Sequence, residues 1–177
     1  ELQSYFIKRM EKFINSKGRR MIGWDEILDG GLAPNATVMS WRGEKGGIES
    51  AKMGHDVVMT PGKPLYFDHG QSNHPSHPNH WPGREAIEEV YNYNPIPKEL
   101  SAAQAKHIRG CQANVWTAFI HTDEILDCQI WPRGVALAET AWCQQDAKDW
   151  AKFQPRLATH KQRLDELNIS YWREPKS

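Results

Sequence analysis

The sequence lacks a charge excess: 22 Lys and Arg face 22 Asp and Glu, and the pI is close to neutral at 7.3. Nothing in that balance points to nucleic acid or to an anionic membrane surface. It also lacks any apolar run near the ~18 residues that cross a bilayer, and the opening Glu1-Leu2-Gln3-Ser4 has none of the character of a secretory leader. The chain does not begin with Met and is read as processed or excerpted. Cysteine is scarce. Cys111, Cys128 and Cys143 form neither an even set nor a CxxC pair, so they suit neither a disulfide framework nor a zinc site, and buried small side chains are expected. Against these absences, 39 % hydrophobic and 25 % charged residues in a chain of 177 suit one sizeable globular core. The abundance is in tryptophan, eight in all. Several fall at strand ends or in loops, where aromatic faces suit sugar stacking or a partner surface.

Strand and helix signals alternate along the chain. Leu2, Phe6, Met10, Phe13 and Ile14 recur at helical spacing over residues 2–16, with Gly18 as a stop. Short strands are predicted at Arg20–Trp24, Thr37–Trp41 and Asp56–Thr60, with a helix over Glu44–Met53 between the second and third. Asp68–Pro97, rich in His, Asn, Pro and Gly, reads as a long polar connection. Helix resumes over Pro97–Lys106, a fourth strand is expected over Ile108–Trp116, and Asp123–Trp142 reads as helix broken at Pro132. A last helix covers about Asp149–Leu167.

This alternation predicts an α/β fold with about four parallel strands covered by helices. A closed (β/α)8 barrel usually needs about 250 residues, so residues 1–177 are read as the C-terminal half of a TIM barrel, a fragment of a larger domain; the plainer alternative is a small open α/β sheet. Sites in such folds gather at the carboxyl ends of the strands. There the sequence offers Trp24-Asp25-Glu26, Trp41-Arg42-Gly43, Tyr66-Phe67-Asp68 and Trp116-Thr117, an aromatic from every strand.

In order, the runs GWDEIL, VMSWRG, VVMTPGKPLYFDHGQ, VYNYNPIP, GCQANVWTAFI and WPRGVALAETAW resemble the second half of the catalytic barrel of glycoside hydrolase family 20, the β-N-acetylhexosaminidases. The resemblance implies an exo-acting, retaining hydrolase of terminal β-linked N-acetylglucosamine or N-acetylgalactosamine that needs no cofactor or metal. In that family the substrate's own 2-acetamido oxygen attacks the anomeric carbon, an exception to the two-carboxylate rule. Carried over by motif, Tyr66 becomes the catalytic hydroxyl on the acetamido oxygen; Trp24, Trp41 and Trp116 wall the acetamido pocket; Asp68 binds sugar hydroxyls, and Trp81 contacts the sugar from the long loop. If the chain stays extended from Tyr66 to Asp68, both side chains share one side.

The pair Asp25-Glu26 looks like a catalytic acid with its partner. The family's acid pair, however, follows the preceding strand in a GGDE-type motif, upstream of every residue here. Asp25 and Glu26 are therefore expected to support the rim, bonding neighbouring loops or capping the following helix, and the chain alone is expected to be inactive. One departure stands out: the family's WTE, whose Glu holds sugar hydroxyls, is here Trp116-Thr117-Ala118, so either another group has taken over those hydroxyls, Asp123 and Glu124 being the nearest carboxylates, or the position was altered, or this member takes a different sugar. His69, His74, His77 and His80 raise a transition-metal site, but the prolines among them favour a solvated polar loop. A rival reading is a degenerate barrel that binds carbohydrate without cutting it. The partners implied are a terminal N-acetylhexosamine and the missing half of the barrel, or self-association through exposed strand edges; by family resemblance alone the location is secreted, periplasmic or lysosomal.

Overall fold

A computed structural model describes residues 1–175. The chain divides into two compact units, one of residues 1–62 and 95–112, the other, among the described residues, of 63–94 and 113–175.

The first unit contains α1 (Leu2–Ser16), β1 (Ile22–Trp24), a 3-10 turn (Asp25–Leu28), β2 (Thr37–Ser40), α2 (Lys45–Lys52) and β3 (Val57–Met59). The strands run parallel in the order β1-β2-β3, with Gly23 opposite Val38 and Met39 opposite Val58. A fourth parallel strand (Ile108–Cys111) lies beyond β3. Burial alternates along β2 and β3: Val38, Val57 and Met59 are buried, while Met39 and Val58 on the other face are only partly so. Met21, Ile27, Ala33, Ala36 and Val38 form a core to which Ile7, Ile14, Leu28 and Leu32 add. Helix α2 sits close on the sheet because Gly47 has no side chain: a Cβ there would come 2.6 Å from Met59 Sδ. The Gly47 amide donates instead to Ser40 Oγ at 2.8 Å.

Helix α1 forms where its spacing predicts, but only Ile14 of its apolar stripe packs on the core, while Leu2, Phe6 and Phe13 face outward. Leu2 is 80 % exposed, Phe6 and Phe13 each 56 %. The buried side carries Ser4, Ile7, Glu11 and Ile14, because Ser4 Oγ donates to Gly30 O at 2.8 Å and Glu11 Oε1 accepts from the Asn35 amide at 3.1 Å. Those bonds offset the cost of burying polar groups.

A short kinked segment, α3 (Gly62–Leu65), with non-helical angles at Lys63 and Pro64, leads from the first unit into the second, where β4 (His69–Gly70), β5 (Trp81–Arg84) and α4 (Ile87–Asn92) follow. The segment read as a long polar connection thus holds a two-stranded parallel ladder, in which His69 pairs with Trp81, and a helix whose start is capped by Glu89 Oε2 on the Ala86 amide at 2.7 Å. Helix α5 (Ala102–Ala105), in the first unit, is shorter than expected because the box between Ser101 and Gln104 starts it late. The fourth sheet strand, β6 (Ile108–Cys111), likewise stops early; beyond it only Asn114 bridges, to Tyr66.

In the second unit α6 (Asp123–Ile130) and α7 (Arg133–Trp142) flank Pro132, and α8 (Trp150–Glu166) follows. Tyr91 stacks on Phe153 with ring centroids 4.6 Å apart, and its hydroxyl accepts from the Asp149 amide at 2.7 Å. Thr140 Oγ1 donates to the carbonyl of Val90 at 3.0 Å, fastening α7 to α4. The cysteines are not buried as expected: Cys143 is exposed, Cys111 and Cys128 are half-buried, and all three are free thiols. No helix among the described residues is long and apolar enough to cross a membrane.

Candidate functional site

Trp24 and Trp41 lie in the first unit; Tyr66, Asp68, Trp81 and Trp116 lie in the second. Trp24 ends β1 and Trp41 directly follows β2, both half-buried. The intervening carboxylates tie these strand ends together. Glu26 accepts the Trp41 indole N–H at 3.0 Å on both oxygens, and the buried Asp25 takes Arg42 Nε at 2.7 Å and the Arg42 amide at 3.2 Å. With Asp25 bound to Arg42 and Glu26 to Trp41, the pair acts as a brace between loops.

In the second unit, the Phe67 amide donates to Asn114 O at 2.7 Å, and the chain then turns instead of staying extended: the His69 amide donates to Tyr66 O at 3.2 Å. Tyr66 and Asp68 therefore flank the bend as neighbours in a turn, and simple alternation does not relate them. Asp68 is only 4 % exposed, and Oδ1 has no hydrogen-bond partner. Burial pushes its carboxyl above the usual carboxylate range, opposed by its own amide, by His69 and by the Trp116 backbone N–H. That last bond joins Asp68 to the segment carrying Trp116, whose side chain is 48 % exposed. Trp81, 44 % exposed on β5, meets Phe119 edge to face at 5.4 Å. Such exposed rings, next to a buried carboxylate able to accept two hydroxyl hydrogens, are suited to a polyhydroxylated ring with one apolar face.

The turn is held by a residue that sequence reasoning missed. Arg133, in the first turn of α7, is fully buried, with its guanidinium 4.6 Å from the centre of the Phe67 ring. Its Nη2 donates to Phe67 O at 2.6 Å, His69 O at 3.0 Å and Gln129 O at 2.7 Å, and Nη1 to Glu85 O at 3.2 Å. Burial lowers its pKa to about 9, against the attraction of Glu85 and Asp68. Arginine is rarely found fully inside, so only its place after Trp131-Pro132 could have flagged it. Glu85, 3 % exposed, was likewise hidden in the polar loop; it bonds His69 Nδ1 at 3.0 Å, and burial raises its pKa.

Ala118 is exposed in a 3-10 turn (Thr117–Phe119), and Asp123 and Glu124 open α6, where a bond from the Thr122 side chain holds the Glu124 carboxyl below its usual range. The histidines spend their ring nitrogens locally: His74 Nδ1 on Ser76, His77 Nε2 on the Gln71 amide and Nδ1 on Pro78 O, and His80 Nδ1 on Trp81 O. Among the described residues no three His, Cys, Asp or Glu side chains are grouped to hold a metal ion.

Comparison with known proteins gives a consistent result. The model of glycosyl hydrolase family 20, catalytic domain, matches residues 1–145. A β-hexosaminidase of Porphyromonas gingivalis is 52 % identical over 172 residues, 97 % of this chain and 22 % of that protein. A β-hexosaminidase of Vibrio furnissii is 33 % identical over 141 residues, 78 % of this chain and 23 % of that protein. Among solved structures, the family 20 exo-β-N-acetylglucosaminidase of Vibrio harveyi, in complex with N-acetylglucosamine, superposes with a TM-score of 0.89 at 31 % identity, covering 97 % of this chain and 27 % of that one. The chain thus spans about a quarter of the length of these relatives.

Proposed function

Since the chain belongs to glycosyl hydrolase family 20, we propose that it is the C-terminal half of the catalytic barrel of an exo-β-N-acetylhexosaminidase, which removes terminal β-linked N-acetylglucosamine or N-acetylgalactosamine with retention. The 2-acetamido carbonyl oxygen of the substrate attacks C1 as the C1–O bond breaks, and a Glu supplied by the preceding part of the barrel protonates the departing oxygen. Water then adds to C1 of the oxazolinium, returns a proton to that carboxylate and restores the acetamide. Holding the internal nucleophile against C1 is the main task of the protein, because a positioned neighbouring group supplies most of what a second reactant would.

This chain contributes the holding groups. In the second unit the Tyr66 hydroxyl donates to the acetamido oxygen, Asp68 accepts sugar hydroxyls, and Trp81 and Trp116 offer their rings to the sugar; Trp24 and Trp41 are the aromatic contacts proposed for the first unit. The observation that carries the reading is the Tyr66–Asp68 turn: a phenol and a buried carboxylate with an unpartnered Oδ1, in a family defined by hexosamine chemistry. Ala118 favours a second reading, a barrel that binds sugar without cutting it, since alanine offers no acceptor where the family has Glu.

The experiment is hydrolysis of an aryl N-acetyl-β-glucosaminide by the full-length protein, with titration by N-acetylglucosamine-thiazoline followed by tryptophan fluorescence. Turnover with retention and saturable thiazoline binding are expected, and Tyr66→Phe is expected to lower kcat by about 100-fold, the usual cost of removing one such donor. Saturable binding of N-acetylglucosamine without turnover would establish the second reading, and no binding would remove both.

A further inference from the structure

We propose that Glu85 and His69 are a positioning pair that orients the sugar-binding turn, with Glu85 fixing the imidazole and the imidazole bracing Tyr66; the role rests on the assignment of Tyr66 and Asp68 above. His69 adjoins all three candidate contacts of this segment. Its ring lies 5.8 Å, centroid to centroid, from that of Tyr66, it follows Asp68 in the chain, and it is the ladder partner of Trp81.

Three features hold the ring. Nδ1 donates to Glu85 Oε1 at 3.0 Å, since an ionised carboxylate only accepts. Gly83 supplies a bare surface under it, where a Cβ would stand 2.6 Å from Nδ1, and its φ of +139° is one that only glycine readily adopts. The Tyr66 ring closes a third side at an interplanar angle of 51°.

The backbone does not need this pair. Arg133 already binds the carbonyls of Phe67, His69 and Glu85, so what the Glu85–His69 bond adds is the orientation of one imidazole. Glu85 is also a costly way to fill space. It is 3 % exposed, its Oε2 has no hydrogen-bond partner, and the negative charge of Glu89 works against its ionised form. An apolar side chain of similar size would fill the position with less penalty, so the return on a buried carboxylate is geometric.

The test uses the full-length protein and thiazoline affinity with kcat and KM. Glu85→Leu and His69→Gln are each expected to weaken thiazoline binding by about tenfold and to lower kcat more than KM, since a loosened Tyr66 fails most where the acetamido oxygen reacts. Glu85→Gln, which keeps an acceptor for Nδ1, is expected to stay within about threefold of wild type. In a Tyr66→Phe background the same substitutions are expected to add less than about twofold, because the hydroxyl they position is gone. Full additivity in that background would overturn the inference, as would wild-type affinity in His69→Gln while Tyr66→Phe weakens binding. His69 is partly exposed, so His69→Gln serves if Glu85→Leu fails to fold by circular dichroism. If the wild-type protein binds no thiazoline, or if Tyr66→Phe leaves its binding intact, the assignment beneath the inference fails first and the inference falls with it.

Discussion

Arg133 is a cation whose hydrogen bonds go to main-chain carbonyls and to Gln129, and this makes it irreplaceable in a way that a buried ion pair is not. An ion pair can be exchanged for two apolar side chains; the carbonyls of Phe67, His69, Gln129 and Glu85 cannot be removed with their partner. Arg133→Met is expected to cost about 3 kcal/mol or more, the range for stranding buried polar groups, measured as a shift in urea unfolding of the full-length protein. Asp68 behaves oppositely. Because burial raises its pKa, the folded state holds the proton more tightly than the unfolded chain, and stability is lost as pH rises from the ordinary Asp value through the raised one. Asp68→Asn is therefore expected to raise the melting temperature at pH 7, to lose that gain as pH falls below the ordinary Asp range, and to weaken binding of N-acetylglucosamine. Melts at several pH values and one titration check all three. Neither residue was open to pattern reading in full. The YFD run marked Asp68 for chemistry, but Arg133 breaks the rule that arginine stays outside, and the bend at Tyr66–Asp68 depends on Asn114, almost fifty residues away.

At the scale of elements, the brace between the ends of β1 and β2 separates the two roles open to an Asp-Glu pair. If Glu26 only accepts the Trp41 indole, Glu26→Gln keeps an acceptor and should leave kcat within a few-fold, whereas Glu26→Ala should cost about 1 kcal/mol of stability and disturb Trp41 fluorescence. A fall in kcat of about 100-fold or more in Glu26→Gln would mark an acid instead. The four parallel strands were legible to within a few residues because runs such as Val-Val-Met and Thr-Val-Met are apolar and rich in β-branched residues. The β4–β5 ladder was not. In Trp-Pro-Gly-Arg only Trp81 favours a strand, while Pro82 and Gly83 disfavour one and no alternation shows. Helix α1 shows the same limit, since periodicity marks an apolar stripe but cannot see that hydrogen bonds turn the side with Ser4 and Glu11 inward.

At the scale of the whole molecule, that stripe and the open sheet edge carry the remaining prediction. Leu2, Phe6 and Phe13 face outward on α1, and Ile22, 51 % exposed, lies on an end strand of the sheet. We propose that the rest of the barrel covers them in the full-length protein. Residues 1–177 expressed alone are expected to self-associate in sedimentation velocity, and replacing Leu2, Phe6 and Phe13 with Gln to shift the population toward monomer. A monomer without those changes would rule this out. Parallel strands alternating with helices were legible from the pattern, which left both a half-barrel and a small open sheet standing until the strand-end residues were weighed, while the division into two units was not legible, since it depends on which loops fold back on which helices.

The chain enters the second unit at Lys63, leaves it at Asn94 and returns at Ala113. On the ribosome this imposes an order. The first unit can finish as soon as Gln112 has emerged, but the segment bearing Tyr66, Asp68 and Glu85 must wait for Arg133, and at ~5–20 residues per second that wait lasts a few seconds. Through that interval the turn from Tyr66 to Asp68 has no clamp, and its aromatic residues are open to chaperones and proteases.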